Sequence, residues 1–101
     1  MASGTIPAGM GGFQGRLWTG TIPTGGTAYR QTVGGGMPDA FLVDFQYYHV
    51  QNNAWYGTSA AQFSSAPMLQ ITGGNMCELR FTVPSGGDLA GREFRALIIW
   101  R

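Results

Sequence analysis

Apolar and polar residues alternate along this chain with a period of two rather than 3.6, and clusters of glycine interrupt the alternation. Within Asn75–Val83, Cys77, Leu79, Phe81 and Val83 fall on one side, while Met76, Glu78, Arg80 and Thr82 fall on the other. Within Ala40–Val50, Phe41, Val43, Phe45 and Tyr47 oppose Leu42, Asp44, Gln46 and Tyr48. Each pattern predicts a strand with one buried face, as two packed antiparallel sheets require. Glu93–Trp100 differs. Phe94, Ala96, Ile98 and Trp100 share one side, yet Leu97 and Ile99 occupy the other beside Arg95 and Arg101. A strand apolar on both sides is central in a sheet or meets a partner outside it. Leu97 and Ile99 are therefore candidate outer-face apolar contacts.

Glycine, proline and asparagine mark where the strands end. Phe13–Ile22 reads as a strand that turns at Pro23-Thr24-Gly25-Gly26 into Thr27–Val33, the two forming a hairpin. A loop through 34–39 leads into Ala40–Val50, the longest strand. Asn52-Asn53 then turns the chain towards a short strand around Trp55-Tyr56. Ser59–Phe63, the least strand-like piece, predicts a single helical turn. Met68–Thr72 and Asn75–Val83 form the clearest hairpin, closed at Gly73-Gly74-Asn75. Residues 13–101 thus predict one all-β domain, a single antiparallel β-sandwich of about seven strands, Ig-like or jelly-roll-like. Gly4-Thr5-Ile6-Pro7-Ala8-Gly9 recurs as Gly20-Thr21-Ile22-Pro23-Thr24-Gly25, and more weakly as Phe81-Thr82-Val83-Pro84-Ser85-Gly86. Repeated turn chemistry accounts for these copies, which are too short and unevenly spaced for a solenoid.

Residues 1–12 form an extended N-terminal arm with four glycines and only two large apolar side chains, Ile6 and Met10, besides the initial methionine. So little apolar surface cannot offset the entropy of ordering. The segment is a flexible tail or an arm that docks on a neighbouring subunit, with Ile6 and Met10 as anchors.

Composition narrows the role. A length of 101 residues suits one domain. Hydrophobic residues at 44% and aromatics at 13% exclude a disordered chain. Charged residues reach only 11%, all six cations are arginine, and the net charge is +1. That balance offers no field for nucleic acid or anionic lipid. No apolar run approaches the ~18 residues of a membrane span, so no membrane insertion is expected, and the opening Met1-Ala2-Ser3-Gly4 shows no secretory-signal pattern. A single cysteine leaves no internal disulfide and no structural zinc site.

Catalytic constellations are sparse. His49 is the only histidine and reads as hydrogen-bonded at a strand end rather than as a general base. Cys77 shares a face with Leu79 and Phe81, which predicts an inert buried thiol. Glu78 with Arg80, and Glu93 with Arg95, suggest cross-strand ion pairs. Asp39 and Asp88 lie in glycine-rich loops without a calcium-loop pattern, and the glycine runs lack the Lys-Ser/Thr of a phosphate loop. We expect no enzyme activity, cofactor or metal. The most informative cluster spans 47–56, where Tyr48, Asn52, Asn53, Trp55 and Tyr56 combine aromatic rings with side-chain amides. Three readings fit it: core plus turn, a subunit interface, or contact with a host-surface glycan.

The segments Gly20-Thr21-Ile22-Pro23-Thr24-Gly25-Gly26-Thr27 and Phe81-Thr82-Val83-Pro84-Ser85-Gly86-Gly87, with the apolar end Phe94–Arg101, resemble the small, glycine-rich, lysine-poor all-β structural proteins of tailed bacteriophages. Tail-fibre tips and capsid decoration proteins are of this type. The resemblance implies a virion location and assembly with copies of itself and other virion proteins. No family catalytic or binding residue carries over.

Overall fold

Among the described residues, period-two alternation builds eight strands and no long helix. The computed structural model describes residues 2–5 along the backbone, and residues 13–24 and 26–101 in full. The strands are β1 (Ala2–Thr5), β2 (Gln14–Thr21), β3 (Tyr29–Gly34), β4 (Phe41–His49), β5 (Ala54–Gly57), β6 (Ser65–Thr72), β7 (Met76–Thr82) and β8 (Glu93–Trp100). A five-stranded antiparallel sheet runs in the order β1-β2-β8-β4-β5, and a three-stranded one in the order β3-β7-β6. They form an antiparallel sandwich. Ala60–Gln62 makes the expected helical turn, with the Ser59 N–H donating to Gln62 Oε1 at 2.9 Å. Among the described residues, no helix is long and apolar enough to cross a membrane.

The inner faces meet in an aromatic core. Phe94 stacks on Phe45 at 5.1 Å, and Phe81 stands edge-on to both, at 5.2 and 5.0 Å. Tyr29 stacks on Phe81 at 4.9 Å, and its hydroxyl accepts a bond from Trp18 Nε1 at 2.8 Å. The alternation on β7 translates directly: Cys77, Leu79, Phe81 and Val83 are all buried. β8 is central, between β2 and β4, so its inner side chains Phe94, Ala96 and Ile98 are wholly buried. Two loop residues, Met37 and Leu89, also enter the core.

Three expectations change. β2 and β3 are not a hairpin: β2 pairs with β8, and β3 with β7 in the other sheet. Ile22 is bonded in both directions to the loop before β8, donating to Arg92 O at 2.8 Å and accepting from Gly91 N at 3.0 Å. With its main chain used this way, β2 continues its pairing to Ile22, and the following turn becomes a corner between sheets. Second, Phe41 and Val43 are exposed rather than buried. A β-bulge between Leu42 and Asp44 makes Val43 the extra residue, so Leu42 packs on the core while the residue after it turns outwards. Third, Glu78 and Glu93 lie on strands of different sheets. Glu78 pairs with Arg30 and Arg80, whereas Arg95 bonds Gln46.

Within the N-terminal segment, the backbone of Ala2–Thr5 pairs antiparallel with Gln14–Leu17 of its own chain. Ile6 and Met10 lie outside the described residues.

Candidate functional site

The outer face of the five-stranded sheet divides into an apolar half and a polar, aromatic half. Register assembles the apolar half. Leu97 on β8 lies beside Leu17 on β2, and Ile99 lies beside Phe41 on β4. Phe13, just before β2, meets Phe41 edge-on at 6.0 Å, and the Arg101 guanidinium lies 4.9 Å over the Phe13 ring. Phe41 is 42% exposed, Val43 57% and Leu97 37%. Isolated apolar side chains on a surface are ordinary, whereas a contiguous set on one sheet face is a candidate interaction surface. Asp44, paired in register with Leu97, is exposed beside it on β4.

Towards β5 the same face turns polar. Arg95 donates from Nε to Gln46 Oε1 at 2.7 Å and holds its guanidinium 4.4 Å over the Trp55 ring. Tyr48 meets Trp55 edge-on at 5.3 Å. A depression of about 340 Å³ beside them is lined by Thr19, Thr21, Trp55 and Glu93.

The 47–56 cluster is the β4–β5 hairpin. Its four-residue loop closes with the Asn53 N–H donating to Val50 O at 3.2 Å, and Asn53 adopts a left-handed conformation, φ 49°. Asparagine tolerates that conformation, which accounts for its place there. The five residues expected to act together divide between the two sheet faces. Tyr48 and Trp55 point outwards, and Asn53 Oδ1 accepts from the Tyr48 hydroxyl. Tyr56 packs against the core, bonded through its hydroxyl to Asn52 Nδ2 and stacked at 4.8 Å on His49. Each amide thus ties down one tyrosine. His49 Nδ1 accepts the Asn52 N–H at 3.2 Å, the strand-end bond expected of it.

Leu97 and Ile99 lie where the alternation set them. Phe13, Leu17, Phe41, Val43 and Asp44 were not recognised as part of this face. Leu17 could have been, since it alternates with Gly15 and Thr19 against the inward Trp18. Phe41 and Val43 could not, because the bulge has no signature in the alternation.

The outer face of the three-stranded sheet is different in kind. Glu78 Oε1 receives Arg80 Nε at 2.8 Å and Arg30 Nε at 3.3 Å, and Gln70 accepts from Arg80. Glu78 and Arg80 are half-buried and Arg30 is exposed, and pairs on a sheet surface of this kind contribute ~0–1 kcal/mol each. Cys77 points inwards from that sheet, and burial pushes its thiol above the ordinary value. Among the described residues, no three His, Cys, Asp or Glu side chains come together as metal ligands.

Comparison with protein-family models, with curated proteins and with solved structures finds no match to this chain.

Proposed function

We propose that this protein is a non-enzymatic structural component of a virion, of the bacteriophage type its sequence resembles, which assembles through the outer face of its five-stranded sheet. The observation that carries this reading is the contiguous apolar half-face centred on Leu97, Ile99, Phe41 and Val43 of a small, weakly charged domain. Covering such a face gains ~25 cal/mol per Å² and adds to the stability of a domain with a modest core. The N-terminal segment supplies a second attachment: an edge strand held through four residues can exchange onto the same strand of a neighbour. Quantifying the protein in purified particles, for the parent and a Leu97→Asp variant, tests the reading. Stoichiometric incorporation of the parent and loss of the variant are expected; absence of the parent from every particle fraction would defeat it.

A second reading, recognition of a host-surface glycan, draws on Trp55 and Tyr48 lying on the solvent side beside the depression lined by Thr19 and Thr21. Indole faces stack on sugar C–H groups, but here Arg95 already lies over the Trp55 ring. Glycan-array binding that disappears in Trp55→Ala, with assembly intact, would favour this reading over the first.

A further inference from the structure

We propose that the occupant of the apolar half-face is a second copy of this chain, packed face to face about a two-fold axis that crosses β8 at the level of Ile99. The inference rests on the assembly reading and adds its partner and register. The face carries its own charge complement. Asp44 stands level with Leu97 on β4, and Arg101 follows Ile99 and Trp100 at the end of β8. Neither belongs to an ion pair within the chain among the described residues.

Their positions are related by the proposed symmetry. Rotation about an in-plane axis perpendicular to β8 at Ile99 exchanges the level of Leu97 with that of Arg101. It also lays β8 antiparallel over its copy and keeps β4 over β4. Asp44 of one copy then comes to the level of Arg101 of the partner subunit, one strand away. With stacked sheets ~10 Å apart and strands ~4.8 Å apart, the two backbones lie ~11 Å apart, a gap that an arginine and an aspartate side chain span together. The pair forms twice, once on each side of an apolar centre made by Phe41, Val43, Leu97 and Ile99. An isologous interface has this arrangement, in which one patch is its own complement.

With the axis at the level of Ile99, the two faces overlap only from the level of Leu97 to that of Arg101, across β1, β2, β8 and β4, about 330 Å² of sheet per copy. A stable pair of proteins buries about 600–1,000 Å² on each partner, so this dimer is weak and reversible. A net charge of +1 per copy opposes association only weakly.

Sedimentation velocity of the full-length protein across the micromolar range tests this. A reversible dimer is expected, dissociated by Leu97→Asp and independently by Val43→Glu, with circular dichroism showing both variants folded. Asp44→Arg should raise the dimer dissociation constant about tenfold or more, and combining it with Arg101→Asp should restore at least part of the affinity. A parent protein that remains monomeric throughout would overturn the inference. So would a dimer indifferent to both apolar-face variants. A double variant no tighter than Asp44→Arg alone would overturn the two-fold register. Should the parent be monomeric yet enter particles, the second-copy inference falls while the assembly reading stands.

Discussion

Gly20 sets two physical effects of opposite sign against each other. It lies on β2 directly across from Phe94 on β8. Strand propensity favours replacement, because glycine inside a strand costs about 0.5–1 kcal/mol relative to alanine. Packing opposes it. A methyl group on Gly20 would stand 2.8 Å from Phe94 Cε1, 3.0 Å from Cζ and 3.4 Å from the Tyr29 hydroxyl. Carbon atoms in contact prefer ~3.5–4.0 Å, so the ring would have to withdraw by most of an ångström. It has little room to do so, with Phe45 at 5.1 Å and Phe81 and Tyr29 each at 5.2 Å between ring centres. Overpacking of this kind costs about 1–3 kcal/mol, which exceeds the propensity gain. Gly20→Ala should therefore destabilise the domain by about 0.5–2 kcal/mol, a fall in melting temperature of about 4–8 °C per kcal/mol. In a Phe94→Leu background the obstruction shrinks, and Gly20→Ala should become neutral or stabilising by up to about 0.5–1 kcal/mol. Urea denaturation of the four proteins, with unchanged m-values, closes the cycle and should show about 1–2 kcal/mol of coupling. If Gly20→Ala stabilises both backgrounds equally, the close approach of β2 to Phe94 is wrong.

Two further predictions follow from the interior. The Cys77 thiol should resist a thiol reagent in the native protein and react fully in denaturant. Because burial raises its folded value, the unfolded chain ionises first, so stability falls as pH climbs through the ordinary thiol range near ~8.5 towards the folded value. Cys77→Ala should reduce that slope, and an identical slope would contradict burial as the cause. Arg16 donates from Nη1 to Val33 O at 2.6 Å, at the bulge between Thr32 and Gly34. Arg16→Met should leave that carbonyl unpaired and cost about 1–3 kcal/mol in urea denaturation. Arg16→Lys should cost less, and equal losses would show that the bond is not what matters.

How much of this was readable beforehand depends on how locally each feature is determined. β7 and β8 were legible because alternation along one strand reports one buried face, and Leu97 and Ile99 fall on its outer side as that alternation set them. The β6–β7 turn was legible too, since Asn75 (φ 58°) and Gly74 (φ 72°) take up the backbone that their residue types favour. The partnering of β2 was not. Pro23-Thr24-Gly25-Gly26 suits a hairpin and a corner between sheets equally, and only the bonds from Ile22 to Gly91 and Arg92, some 70 residues away, decide between them. Phe41 and Val43 were misplaced because one bulge residue reverses everything before it on the strand. In the 47–56 cluster, richness in aromatics and amides suggested one site. Strand periodicity sends Trp55 and Tyr56 to opposite faces, and that rule outweighs composition.

The central claim is that this molecule works through the outer face of its five-stranded sheet. Covalent footprinting of the full-length protein, free and in its assembled form, tests that claim most directly. Phe41, Val43 and Leu97 should lose reactivity on assembly, while Met68 and Met76 of the three-stranded sheet, 51% and 39% exposed, should keep theirs. Protection at Met68 and Met76, with Phe41 and Leu97 labelled equally in both forms, would contradict it.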